Sequence, residues 1–474
     1  MKKPKYDITR YLCAAAEISP KFRTKVFEQI IDNTIRYVAP SYGVDVPLVV
    51  RHCLRGQLRD FIVESLLSII LLWTFLSAII SHGVIFGIPS FVISLVTYPL
   101  LISFLLRWLN LFIGYRVVVK DLKHIDIQAE KRSFVESQYE KRIMELETLQ
   151  DGNVVYYSGY TPFVGAGIRM AGWSFVCSTA TKEGERSEQS VISLPALYNH
   201  VNKNMNSLHI PHLNVKDMLY VNGREIREDD RFLTDPYQAP IAQIAASLID
   251  EYKENQEENV RYYQTVQVVG WQGNLVLSSF FRVSKNDKHL FVEANYYVLP
   301  PLEPGFYEID QLNSSIPLGR ILKMGLSSII PSIFLLPLAP SRAIRNGAAF
   351  WSSWKEKKEL LKQISKNQRF DYGAYESIRE MAASDELQNF FQKSDLEMYK
   401  KQIERCFTDS VMEYLEGQNV DISEFIKRKE TVINQGIMIN GGSFSAENVS
   451  VGNQTNTIVN QVKSTFQNNN SVSV

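Results

Sequence analysis

The sequence predicts an α+β membrane protein, and three observations carry that prediction. Residues 65–106 hold no Asp, Glu, Lys or Arg in 42 positions. Further on, YYQTVQVVGW, NLVLSSFFRVS and HLFVEANYYVL are strand patterns separated only by the short polar stretches WQGN and SKNDK. The end of the chain is Asn-, Gly- and Ser-rich. The expected organisation is a helical cytoplasmic leader (1–60), a transmembrane hairpin (61–113), a cytoplasmic α+β domain (114–310) and a re-entrant, interfacial or third transmembrane segment (320–341). A helical region (342–430) and a low-complexity, β-prone tail (431–474) follow. At 474 residues the chain exceeds the ~250–300 at which a single core stops growing, so two or three units are expected.

The leader reads as helix. Ser19-Pro20 is a cap followed by proline at the first helical position, and Phe22, Val26, Phe27 and Ile30 line one face behind it. In the apolar run, a span needs ~20 apolar residues, so 42 make two spans with a turn near Ser81-His82-Gly83. Pro89 and Pro99 are expected to kink the second span. Arg51, Arg55 and Arg59 recur at i, i+4, i+8 on a helix leading into the membrane, and Arg107 follows the second span. By the positive-inside rule these membrane-flanking arginines put both ends of the hairpin in the cytoplasm. A second stretch, Met324–Ser341, is uncharged but contains Pro331, Pro337 and Pro340. Proline cuts its regular helix to about two turns, which favours re-entry over crossing. A crossing would put everything after it outside the cytoplasm.

In the domain, a charged helix over roughly 129–150 precedes a strand at 153–159. A strand around Trp173–Val176, a helix near 194–206, the strand MLYV (218–221) and a helix near 240–254 come next. The three long strand patterns most simply form an antiparallel meander. Ser394-x-x-Glu397 reads as a capping box for a helix with Leu396, Ile403 and Phe407 on its apolar stripe, stopping at Gly417.

No reaction is legible. Zero net charge argues against a general nucleic-acid binder. Cys13, Cys53, Cys177 and Cys406 have no C-x-x-C spacing and read as reduced, mostly buried thiols. VGAGIRMAG (164–172) has glycine spacing reminiscent of a phosphate loop, but a strand pattern follows where a helix N-terminus is required, so it reads as a turn between strands. Pro211 prevents His209 and His212 from presenting as a helical pair, and REIREDDRFLTDP (224–236) reads as a solvated ion-pair loop. No cofactor or metal is expected, and no catalytic residue is identified.

RYLCAAA (10–16), VAPSYGVD (38–45), RHCLR (51–55), SGYTPFVGAG (158–167), GWSF (172–175), VNGREIR with DRFLTDP (221–236), and VVGWQGNLVLSSFFR with LFVEANYYVLPPL (268–302) occur in order. Together they resemble an uncharacterised family of bacterial integral membrane proteins over residues 8–310. The resemblance implies a bacterial, membrane-bound protein and transfers no catalytic residue; with the two expected spans, the expected location is the bacterial inner membrane, multi-pass, with the soluble domain cytoplasmic.

The tail divides into GIMING, GSFSAE and NVSVGN, with Ile437/Ile439, Ser443/Ser445 and Val449/Val451 at matching positions and Asn440 and Asn453 at turns. Short strands with Asn/Gly turns can stack on copies of themselves, and VSVGNQ resembles the amyloid signalling motifs of bacterial immune-type proteins. Ordered self-assembly and a disordered linker both stay open. Two function classes follow. One is a non-enzymatic membrane effector or signalling protein assembling through its tail, with the lipid bilayer, copies of itself or a receptor bearing a similar motif as partners. The other is a membrane-anchored enzyme or ligand-binding domain (114–310) with a flexible end.

Overall fold

The computed structural model of the chain describes residues 7–82, 88–122, 134–180, 192–311, 318–351 and 353–434. The leader forms α1 (Asp7–Ile18) and α2 (Pro20–Val26), and α2 runs into one π-helical turn at Phe27–Ile31. Ser19 caps α2 as expected, its hydroxyl accepting from the Phe22 N–H, and Phe22, Val26, Phe27 and Ile30 are all buried. α3 (Val46–His82) is a single helix of 37 residues, and α4 (Ile88–Asp121) is its antiparallel neighbour of 34. Both contain segments long and apolar enough to cross a membrane, Val46–Ser77 and Thr97–Lys120. Pro89 sits in the first turn of α4, where no backbone donor is lost, and Pro99 lies inside the helix. Ser81 and His82 of the expected turn are the last residues of α3, and Gly83 lies outside the described residues.

α5 (Phe134–Gln138) and α6 (Glu140–Gln150) take up the charged helix expected at 129–150, whose first five residues lie outside the described ones. Then come β1 (Val154–Tyr157), β2 (Ile168–Ser178), α7 (Leu194–Asn206), β3 (Leu213–Asn222), α8 (Ala246–Glu254), β4 (Val260–Gly270), β5 (Leu275–Lys285) and β6 (His289–Leu299). β4, β5 and β6 are the antiparallel meander. Trp271–Gly273 makes one turn, and Asn286, whose side chain accepts from the Lys288 and His289 N–H groups, makes the other. The whole sheet has the order β1-β3-β4-β5-β6-β2, with β1 parallel to β3 at one edge and β2 antiparallel to β6 at the other.

Period-two alternation sends neighbouring residues of β5 to opposite faces. Phe281 stacks on Phe407 at 4.1 Å between ring centroids, and this face is covered by α7, α8 and the C-terminal helices. Phe280 stacks on Phe163 at 4.0 Å, and this face is closed by the 160–166 loop and by the leader, whose Pro40 carbonyl presses on Gly165.

After the meander, α9 (Leu318–Leu335) and α10 (Ala339–Trp351) meet at an angle of 94°, and α11 (Ser353–Lys366), α12 (Phe390–Gly417) and α13 (Ser423–Asn434) complete the chain. The expected capping box is not a cap. α12 starts a turn earlier, at Asn389, whose side chain accepts from the Phe391 N–H, so Ser394 lies inside the helix. Leu396, Ile403 and Phe407 are buried and the helix does end at Gly417. Residues 370–376 run beside β1: Ala374 donates to the Tyr156 carbonyl, and Gly373 approaches so closely that a Cβ there would lie 2.3 Å from the Tyr157 backbone.

The path of α9 and α10 can be followed contact by contact. Trp108 Nε1 donates to the Ile321 carbonyl and Ser103 Oγ to the Ser332 carbonyl, so α9 descends along α4. At the bend, Leu336 and Ala339 pack around Leu67. α10 then returns along α3, bringing Arg342 to Glu64 and Asn346 to Gln57. Leu302 and Ile309 before the pair, and Tyr372, Phe407 and Phe425 after it, belong to one core that also includes Ile8, Leu12 and Cys53 of the leader. The pair therefore enters and leaves on the same side of the apolar helices.

Candidate membrane-facing surface

Three helices carry exposed apolar stripes at helical spacing. On α3 they are Ile62, Leu66, Ile69 and Trp73; on α4, Leu101, Leu105, Leu109 and Ile113; on α9, Leu322, Leu326, Ile330 and Phe334. Soluble monomers rarely expose contiguous apolar patches beyond a few hundred Å². Here the stripes lie on the two helices long and apolar enough to cross a bilayer and on the bent pair beside them.

Where these stripes meet the soluble core, a charged collar closes the bundle. Glu64, only 2% exposed, receives Arg107 bidentately at 3.0 and 3.2 Å, and Arg342 lies 3.2 Å from the same carboxylate. Glu64 and Arg107 are the charges that bracket the 42-residue run in sequence, and the hairpin pairs them face to face. One turn toward the core, Asp60 accepts from Asn110 and from the fully buried Arg23, which also donates to the Ala16 and Glu17 carbonyls. Arg23 fits because Gly56 lies beside it: a Cβ there would be 2.7 Å from its Cδ.

The arginine stripe of α3 faces carboxylates of the chain itself. Arg59 pairs with Glu17, Arg55 with Glu136, and Arg51 lies 3.9 Å from Glu136 and 4.0 Å from Glu140. Spacing alone could show the stripe but not these partners, which lie 42 and 81 residues away. Glu17 also accepts from His52 Nδ1 at 2.8 Å. Burial opposes its charge, but His52 and Arg59 outweigh burial and hold its carboxyl below the usual carboxylate value. Its contribution to stability is therefore present above the unfolded-state value of about 4.5 and is lost as pH falls through the folded-state value. Removing one member of such a buried network costs about 3–5 kcal/mol at neutral pH. Glu17→Gln is thus expected to lower the thermal midpoint at pH 7 and to flatten its fall below pH 4.5; parallel wild-type and variant curves through the acid limb would refute this.

Elsewhere, residues singled out by pattern take structural positions. Gly165 and Gly167, at φ +91° and +86°, aim their N–H groups at the Glu380 carboxylate at 3.0 and 2.9 Å. The Ser377 N–H joins them at 2.8 Å. The glycine loop does bind an anion, and the anion is the chain's own side chain. Burial raises the Glu380 carboxyl, and these amides draw it only partly back. His209 and His212 sit in the turn before β3 in left-handed conformations. In the 224–236 loop Arg231 pairs with Asp229 and Glu257, and Arg224 reaches Asp371, which also accepts from Ser158 at 2.5 Å. Cys13, Cys53 and Cys177 are buried free thiols and Cys406 is half-buried. Ile437, Ile439, Asn440, Val449, Val451 and Asn453 lie outside the described residues.

Taken together, this is a mixed α+β protein with an antiparallel-rich sheet and two helices long and apolar enough to cross a membrane. The chain belongs to the AbeC-like domain family, whose domain matches residues 172–446, more than half of its length. The match begins inside β2 and takes in the helical region 342–430, beyond the 8–310 covered by the resemblance in sequence; it leaves out the leader and the hairpin. No curated protein and no solved structure matches the chain.

Proposed function

We propose that the protein is a multi-pass protein of the bacterial inner membrane, a non-enzymatic effector or signalling component with its domain in the cytoplasm. The observation that supports this reading most is α3. It runs without interruption from the soluble core, through the Glu64 collar, into the apolar stripes, and α1 and α10 both pack on it. A helix built this way joins the domain rigidly to the bilayer. α9 and α10 act as a re-entrant wedge that thickens the cytoplasmic half of the bundle. The tail assembles through Ile437, Ile439, Val449 and Val451 with Asn440 and Asn453 at turns, on copies of the chain or on a receptor with a similar motif, and so clusters the hairpins.

Two measurements test the parts separately. The full chain should resist carbonate extraction, and Ser81→Cys in a Cys406→Ser background, where the other thiols are buried, should react with an impermeant maleimide only from outside the cytoplasmic face. Labelling from the cytoplasm alone would sink the hairpin. A fluorescently tagged chain should form membrane clusters that Ile439→Pro with Val451→Pro abolishes without changing extraction, because proline removes ladder donors. Equal clustering in both chains would sink tail assembly and leave the membrane reading intact.

A further inference from the structure

The sheet has two edge strands, and the chain treats them differently. Along β1 the edge is covered: the Ala374 N–H donates to the Tyr156 carbonyl and the Ser158 N–H to the Ala374 carbonyl, so residues 370–376 lie against it. Along β2 no segment does the same among the described residues. The Thr179 N–H donates to the Lys288 carbonyl just before β6, and backbone groups alternate from side to side along a strand. Odd-numbered residues therefore pair with β6, while Gly172, Ser174 and Val176 turn their N–H and C=O groups outward. Ser178 fits this phase, because its outward N–H is taken by the Glu424 carboxylate of α13 at 3.1 Å. Edge strands are ordinarily guarded by charges or proline. From Ala171 to Ser178 there is neither, and Val176 is 45% exposed.

We infer that the open edge of β2 takes the chain's own tail, residues 448–451 (NVSV) pairing along residues 172–176 as a further strand. The start of the tail is fixed by α13. Glu424 holds Ser178, and Phe425 packs edge-on against Phe175 at 5.2 Å between ring centroids, so α13 begins at the C-terminal end of β2. Its 12 residues carry the chain about 18 Å to Asn434. Residues 172–176 lie within about 20 Å of Ser178 along the strand. Residues 435–448 can span about 45 Å, so Val449 reaches the edge whichever way α13 points. Ile437, three residues past α13, has only about 10 Å of chain to return with. Val449 and Val451 are β-branched and suit a strand, and backbone pairing supplies the contact in strand addition. A strand this short is held because the tether keeps it at an effective concentration on the order of millimolar. The inference rests on neither the membrane reading nor tail assembly; where the tail does assemble, the β2 edge and other copies compete for the same residues.

The test is hydrogen exchange of the full chain in detergent, resolved to single amides by fragmentation in the mass spectrometer. In the wild type, Ser174 and Val176 are expected to exchange slowly, like Trp173 and Phe175, which pair with β6. Val449→Pro with Ser450→Pro removes a donor in either phase of the pairing and falls beyond α13. This variant should exchange at Ser174 and Val176 at least tenfold faster and leave Trp173 and Phe175 unchanged, an alternation that general loosening of the domain cannot produce. A chain ending at Asn434 should behave in the same way. Fast exchange at Ser174 and Val176 in the wild type overturns the inference, and so does slow exchange that survives loss of the tail. Protection that fades on tenfold dilution of the wild type overturns it as well, because the occupant is then another copy of the chain.

Discussion

Glu64→Leu is expected to be the most damaging single substitution in the membrane-proximal bundle, lowering stability by about 3–5 kcal/mol. The glutamate neutralises two guanidinium groups at once, Arg107 through two hydrogen bonds and Arg342 at 3.2 Å. Removing it leaves both cations in a site where solvent reaches Arg107 little. Arg107→Leu should cost clearly less, because Glu64 keeps Arg342. The double variant should lie between the two, since it removes one of the stranded cations but leaves Arg342 without its carboxylate. The thermal midpoint of the full chain in detergent, read for all three variants, checks this order. If Arg107→Leu proves as harmful as Glu64→Leu, the two arginines do not share the carboxylate.

Glu380→Ala should lower stability by about 3–5 kcal/mol by a different route. It orphans the N–H groups of Gly165, Gly167 and Ser377, and each buried donor left unsatisfied costs about 1–3 kcal/mol before relaxation. Glu380→Gln retains one acceptor oxygen and the side-chain volume, but its amide nitrogen turns a donor toward the remaining N–H; about 1–2 kcal/mol is expected. Gly165→Ala should be harmful for backbone reasons, because a Cβ at φ +91° would lie 2.4 Å from the Pro40 carbonyl oxygen. Hydrogen exchange should then rise in residues 163–168 and 37–42 together. Rapid exchange confined to the glycine loop would mean that the leader does not depend on this carboxylate.

What the sequence made legible was local. Period-two runs with short polar turns identify β4, β5 and β6, and Ser19-Pro20 identifies the start of α2, because in each case the signal and the partner lie within a few residues. The position of β2 beyond β6, and of β1 parallel to β3, depends on pairings across more than 50 residues, which leave no period in the chain. The same limit governs the surface. The α3 arginines are visible as a stripe, while Glu17 and Glu136, with which Arg59 and Arg55 pair, lie in helices that give no hint of where they dock. The glycine loop shows it most sharply: its spacing reads as a turn between strands, which it is, but gives no sign that Glu380, 215 residues on from Gly165, accepts its amides. At α12 the misplacement was local, since Ser394 and Glu397 satisfy the capping pattern inside a helix that Asn389 had already begun.

The sharing of one core between the leader and distant segments has a consequence for biosynthesis. Arg10 hydrogen-bonds Asp310, 300 residues later, and the Tyr37 N–H donates to the Tyr372 carbonyl. At about 5–20 residues per second, Asp310 leaves the ribosome roughly 15–60 s after Arg10. Within that interval α3 and α4 have both been synthesised, so the apolar hairpin is complete while the leader's inward faces still lack their partners. Translation thus imposes an order in which both long apolar helices are complete before the domain can close, and the leader's inward apolar faces stay uncovered until the last helices arrive.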